Sequence, residues 1–181
     1  MPYIAPRDAS CACCRPGPLG RRGLLGLGFV AAAAGLLRPA RAAEGQYDSM
    51  LLSCIDPRMV EPVHDWMTQR GLRGQYSQFV IAGAAIGVVA EPFEDWHEAF
   101  WENLATSVKL HKIHRVIAVD HRDCGAAKIA YGAGSVATPD AETALHRDVA
   151  GQFRAQVAKH FPDLQVETEL MALDGSVVTF D

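Results

Sequence analysis

From residue 46 onward the spacing of apolar residues changes period several times, and the changes lay out strands alternating with helices. Residues 50–54 (Met-Leu-Leu-Ser-Cys) are a short apolar run suited to a buried strand. Pro62, followed by Val63, Trp66 and Met67, marks a helix that Gly71 ends. Residues 78–81 are a second strand candidate. Gly83, Ala84, Ala85 and Gly87 then make a small-residue turn, where backbone can come close to a neighbouring group. After Pro92, the residues Phe93, Trp96, Phe100, Leu104 and Val108 recur at spacings of three and four, which is one apolar face of a helix. We assign that face to core or subunit packing.

Residues 115–120 form the third strand candidate. Thr138 and Pro139 fit an N-cap and a first helical position, with Asp140 and Glu142 suited to the helix dipole. The helix they open runs through Leu145, Val149, Phe153 and Val157 to about His160. Residues 164–173 and 176–180, separated by Asp174-Gly175, read as a closing strand and hairpin. This alternation predicts an α/β fold with a central, mainly parallel sheet flanked by helices. If the first and third strands are neighbours with the second outside the first, the chain reverses its winding between them. Cys54 and His121, 67 residues apart, then emerge side by side at the carboxyl ends of their strands.

Length and composition fit one domain: 181 residues, 49% of them apolar, can fill a core. Residues 1–42 differ from the rest. They hold six of the 17 Lys and Arg residues (Arg7, Arg15, Arg21, Arg22, Arg38, Arg41) and one acid, Asp8. Arg21-Arg22 precede an apolar stretch at 23–37, and Ala40-Arg41-Ala42 supplies a small-x-small cleavage site. That stretch falls short of the roughly 20 residues of a membrane span. The layout resembles a twin-arginine export signal, with a general secretory signal as the other reading. We expect a cleaved segment at 1–42, a periplasmic mature domain at 43–181, and no stable membrane anchor.

Without that segment the chain carries 11 Lys and Arg against 20 Asp and Glu, a formal charge of −9, which argues against a nucleic-acid surface. Cys11, Cys13 and Cys14 leave with the segment, so Cys54 and Cys124 are the only cysteines of the mature domain.

Those two cysteines stand in motifs. Cys54 begins a Cys-x-Asp-x-Arg run with Asp56 and Arg58, and His121 and Cys124 form His-x-x-Cys-Gly with Gly125. Alone, the first also fits a strand end with a buried thiol and a surface ion pair, and the second is equally unspecific. Together, each just after an apolar strand-like run, they supply the soft S/N ligand set that zinc (Zn2+) prefers: Cys54, His121 and Cys124. Three protein ligands leave a fourth corner, the mark of a catalytic zinc. Asp56, held by Arg58, would orient a zinc-bound hydroxide or take the open corner itself. A disulfide or thiol redox pair is the competing reading, but it lacks the close Cys-x-x-Cys spacing. His97, His111 and His114 have no partner at metal-ligand spacing and read as surface or interface histidines.

Cys54, Asp56 and Arg58, with His121, Cys124, Gly125 and Ala126, resemble the two signatures of the β-class carbonic anhydrases. The likeness runs more loosely over 50–180. It implies zinc held by Cys54, His121 and Cys124, and reversible hydration of carbon dioxide to bicarbonate and a proton. Asp56 and Arg58 would be the catalytic pair, and in a closed state Asp56 would move onto the zinc as a fourth ligand. It also implies a homodimer or higher homo-oligomer.

The chain departs from the family after the second strand, where an Arg-Asn-x-x-Asn-like run is usual and residues 82–85 are Ala-Gly-Ala-Ala. The arginine that binds bicarbonate at a regulatory site in some relatives is therefore absent. The N-terminal helical arm is reduced to about residues 43–49. Carbonyl sulfide or carbon disulfide hydrolysis on the same site, and a non-catalytic zinc-binding relative, are the alternatives this departure keeps open.

Overall fold

The computed structural model describes residues 45–180, so the expected export signal at 1–42 lies outside the described residues. The chain enters at β1 (Ser49–Ser53), whose five residues are all buried. A 3-10 turn at Pro57–Met59 leads into α1 (Val60–Gln69), followed by β2 (Tyr76–Val80) and a short α2 (Ile86–Val89). A second 3-10 segment, Glu91–Trp96, precedes α3 (His97–His111); β3 (Arg115–His121) and α4 (Gly125–Tyr131) follow. After a 3-10 turn at Ala133–Val136 come α5 (Pro139–His160), β4 (Gln165–Met171) and β5 (Val177–Thr179).

The strands form one five-stranded sheet in the order β2-β1-β3-β4-β5. β1 runs parallel to β2 and to β3, β3 runs parallel to β4, and β5 closes the edge antiparallel to β4. The predicted order of the first three strands and the closing hairpin are therefore present. β1 is an interior strand covered on both faces, which explains its unbroken apolar run. Its side chains alternate between two cores. Met50 and Leu52 pack with Val116 and Ala118 of β3 under Phe100 and Leu104 of α3 and Val149, Phe153 and Val157 of α5. Leu51 packs with Ile117 and Val119 against Met59, Val63 and Met67 on the other face. This period of two is what puts helices on both sides of the sheet.

The helix predicted after Pro92 starts later than its aromatic spacing implied. Pro92 opens a 3-10 segment in which Phe93 departs from helical geometry (φ −119°, ψ 17°), and α3 begins at His97. The break changes the phase of the stripe. Phe93 and Trp96 stack on each other at 4.5 Å, and Trp96 stays 39% exposed, while Phe100 and Leu104 are buried as expected. The helix opened by Thr138 matches its prediction: the Thr138 side chain accepts the Ala141 amide N–H at 3.2 Å and Pro139 begins α5.

Candidate metal centre

Parallel pairing of β1 with β3 sets Ser53 opposite Val119, so Cys54 leaves its strand beside the point where β3 delivers His121. The chain then turns sharply. Asp123 adopts a positive φ of 57°, and the turn brings Cys124 back to cap α4. The Cys54 and Cys124 sulfurs and a His121 ring nitrogen lie within 4.8 Å of one another, and all three residues are buried. Such a cluster can converge on one ion.

The donor chemistry fits a metal as well as the spacing does. His121 Nδ1 lies 2.9 Å from the Arg122 carbonyl oxygen, and because a carbonyl only accepts, Nδ1 carries the proton. Nε2 is left as a buried lone pair with no hydrogen-bond partner. A ring fixed by one nitrogen with the other bare is the arrangement of a ligating histidine. Cys54 Sγ accepts the Gly83 amide N–H at 3.2 Å.

A hydrogen bond from Cys124 pulls the Cys54 thiol down to about 4 against the opposing effect of burial, with His121 and the Gly83 N–H adding to it. The same bond, together with burial, pushes Cys124 up. The opposite directions describe one proton shared by two adjacent sulfurs, each of which also meets backbone N–H donors. Burial opposes the charged form of His121, but the adjacent Cys54 sulfur and the Arg122 carbonyl outweigh it and raise the pKa.

Beside the cluster stands the acid of the first motif. Arg58 donates to Asp56 from Nε to Oδ1 (3.0 Å), from Nη2 to Oδ2 (2.7 Å) and from its backbone N–H to Oδ1 (2.9 Å). The Arg58 side chain, its backbone N–H and the nearby His121 hold the Asp56 carboxyl down to about 2. Asp56 Oδ2 is 3.9 Å from His121 Nε2, so the carboxylate borders the cluster while its oxygens are engaged by Arg58.

Residues 45–170 match the family model described as "Putative carbonic anhydrase". The chain belongs to that family. Two rickettsial proteins, both uncharacterised, are similar over 129 residues: one from Rickettsia conorii at 32% identity, covering 71% of this chain and 69% of the relative, and one from Rickettsia bellii at 31%, covering 71% and 79%. Among solved structures, the carbonic anhydrase of Streptococcus mutans superposes with a TM-score of 0.52 at 15% identity, covering 91% of this chain and 100% of that one. The β-carbonic anhydrase isoform I of Trichomonas vaginalis gives 0.50 at 18% identity, covering 89% and 97%. At such identities the likeness is one of fold, and the fold is that of the β-class carbonic anhydrases.

Within this carbonic anhydrase family chain, several residues around the cluster carry no motif. Asp123 accepts from Arg58 Nη1 at 3.0 Å and pairs with Lys128. Buried Glu142 accepts the Asp123 amide N–H at 2.6 Å and Arg122 Nη1 at 3.1 Å. Buried His146 places Nδ1 2.8 Å from Asp120 Oδ2. One signal pointed to His146: it lies three and seven residues before Val149 and Phe153 on the apolar face of α5, where Leu145 was expected and is only half-buried. Glu142 shares that face one turn earlier. Of the histidines read as peripheral, His114 is exposed near Asp48, whereas His97 Nε2 and His111 Nδ1 are buried.

Proposed function

We propose that the chain is a zinc-dependent carbonic anhydrase that hydrates carbon dioxide reversibly to bicarbonate and a proton. The observation that carries this reading is the convergence of Cys54, His121 and Cys124 within 4.8 Å, bordered by the arginine-held carboxylate of Asp56. Zinc held by those three residues supplies a Lewis acid that makes water nucleophilic near neutral pH.

The chain's own groups then orient the reaction. With its carboxyl held to about 2, Asp56 is an acceptor only at working pH, so an attacking water turns an O–H toward Asp56 and presents a lone pair to carbon dioxide. Arg58 has all three guanidinium nitrogens engaged, two on Asp56 and one on Asp123, and therefore positions the carboxylate instead of gripping substrate. The proton released on hydration leaves to buffer.

A stopped-flow assay of carbon dioxide hydration on the full chain, with zinc content quantified, tests the proposal. A rate that rises with pH, scales with bound zinc and vanishes on chelation is expected. Full zinc occupancy with no hydration would refute it and turn attention to carbonyl sulfide and carbon disulfide, whose access would depend on the wall formed by residues 82–85. We also propose that the chain self-associates, as exposed Ile55, Val80 and Ile129 on segments flanking the site suggest; sedimentation at monomer mass would refute it. Export by the segment at 1–42 is proposed on its charge and apolar layout, and cell fractionation of an Arg21→Lys, Arg22→Lys variant tests it.

A further inference from the structure

Behind the candidate ligands lies a buried polar chain that the proposed reaction does not use. Asp120, the residue before His121, is 5% exposed, and each carboxylate oxygen meets a buried donor. Oδ1 accepts the Ala85 amide N–H at 2.9 Å, and Oδ2 lies 2.8 Å from Nδ1 of His146, which is 1% exposed. A carboxylate this deep is costly unless both oxygens are satisfied, so the three groups hold one another in place.

The connections reach all three ligands. Asp120 is covalently joined to His121. Ala85 lies in the same turn as Gly83, whose N–H donates to Cys54 Sγ at 3.2 Å. One helical turn before His146, Glu142 takes the Asp123 N–H at 2.6 Å, next to Cys124. Residues 82–85 carry nothing larger than a methyl group, and Gly83 and Ala84 both have positive φ, so this turn depends on backbone hydrogen bonds for its position. A fold that needed only a core would continue the apolar face of Val149, Phe153 and Val157 through positions 142 and 146. Two ionisable side chains are buried there instead, both aimed at 120–124.

We infer that Asp120, His146 and Glu142 are positioning residues that hold Cys54, His121 and Cys124 at the spacing a single ion requires. The inference rests on the metal reading above and concerns how tightly and in what geometry the ion is held. Loss of a partner that orients a ligand typically weakens metal binding by about 10–100-fold.

The test measures zinc dissociation constants by chelator competition on the full chain, together with the visible spectrum of the cobalt(II)-substituted protein. His146→Phe keeps ring volume and removes the donor; it is expected to weaken zinc about 10–100-fold and to alter the cobalt spectrum. His146→Asn, whose amide nitrogen can replace Nδ1, should recover most of that loss. Val157→Ala, on the same helix and buried away from the network, should lower stability yet leave affinity and spectrum unchanged.

Wild-type affinity and spectrum in His146→Phe would overturn the inference, and so would an equal loss in Val157→Ala, because the network would then act only through general stability. Should His146→Phe fail to fold, Glu142→Leu, which removes the acceptor of the Asp123 N–H, takes its place, and wild-type affinity there overturns the inference. A wild-type chain that takes up no zinc overturns the metal reading itself before any substitution is compared.

Discussion

Gly83→Ala puts the packing around the metal centre to a quantitative test. Gly83 has a φ of +81°, and a Cβ built on it would lie 2.8 Å from Ala126 Cβ and 3.1 Å from Ile86 Cβ. Two costs add. An L-residue in the left-handed region costs about 1–2 kcal/mol, and forcing a methyl into a filled site costs about 1–3 kcal/mol. The sum is about 2–5 kcal/mol. Gly74 separates the two contributions, because it has nearly the same φ of +72° and nothing within 4 Å of its Cβ position. Gly74→Ala should therefore cost only the backbone part, about 1–2 kcal/mol.

Urea unfolding of both variants, with unchanged m-values, gives the difference directly. The contact also predicts a consequence at the metal. A Gly83 methyl that pushes the turn off Ala126 draws the Gly83 N–H away from Cys54 Sγ, so zinc affinity should fall at least about tenfold in Gly83→Ala and stay unchanged in Gly74→Ala. Equal destabilisation by the two substitutions would refute the close-packing argument. A large stability loss with full zinc affinity would refute the link from turn to thiolate.

Other outcomes follow from the same geometry. Cys54→Ser should abolish stoichiometric zinc uptake, read by elemental analysis, because one of three donors is lost; unchanged metal content would sink the ligand assignment. Asp56→Ala and Arg58→Ala should retain zinc and lower the hydration rate, on the order of 10²-fold or more, and a fully active variant would show that the carboxylate orients nothing. Because Asp56 titrates at about 2 in the folded chain and near 3.9 when unfolded, its pairing with Arg58 contributes stability above about pH 4 that is lost as pH falls toward 2. Wild type and Arg58→Leu, unfolded in the presence of chelator across that range, should therefore converge in stability at the acid end.

The parts of this fold that were legible in the sequence are those whose signals are local and long enough to repeat. β1 and β3 announced themselves as apolar runs, and α5 showed a cap, an N-terminal proline and a sustained apolar stripe. α2 and α4 did not, because four and seven residues are too few to establish a helical period. Gly83, Ala84, Ala85 and Gly87 predict a turn permitting close approach, and Gly83 does approach Ala126, but the sequence carries no sign that its N–H meets Cys54. The convergence of Cys54, His121 and Cys124 was legible because each stands at or just after the end of a strand and has distinctive chemistry. Asp120, Glu142 and His146 were not, since their roles arise only when α5 packs against the end of β3.

The exposure of the groups around the cluster separates their tasks. Arg58 and Asp123 are 44% and 53% exposed, so their ion pair lies in solvent, where screening leaves it little weight in folding. What Arg58 accomplishes is direction: its fork engages both oxygens of Asp56 beside the cluster. The buried set behind the ligands is different. Asp120 and His146 are almost wholly enclosed, and a partner lost there leaves a desolvated polar group, which costs about 1–3 kcal/mol. On the proposed reading, the Asp56 side of the cluster is held by exposed, adjustable pairs, while the candidate ligands are backed from the core by enclosed groups. Substitutions on the first side should change turnover before stability, and those on the second should change metal retention before either.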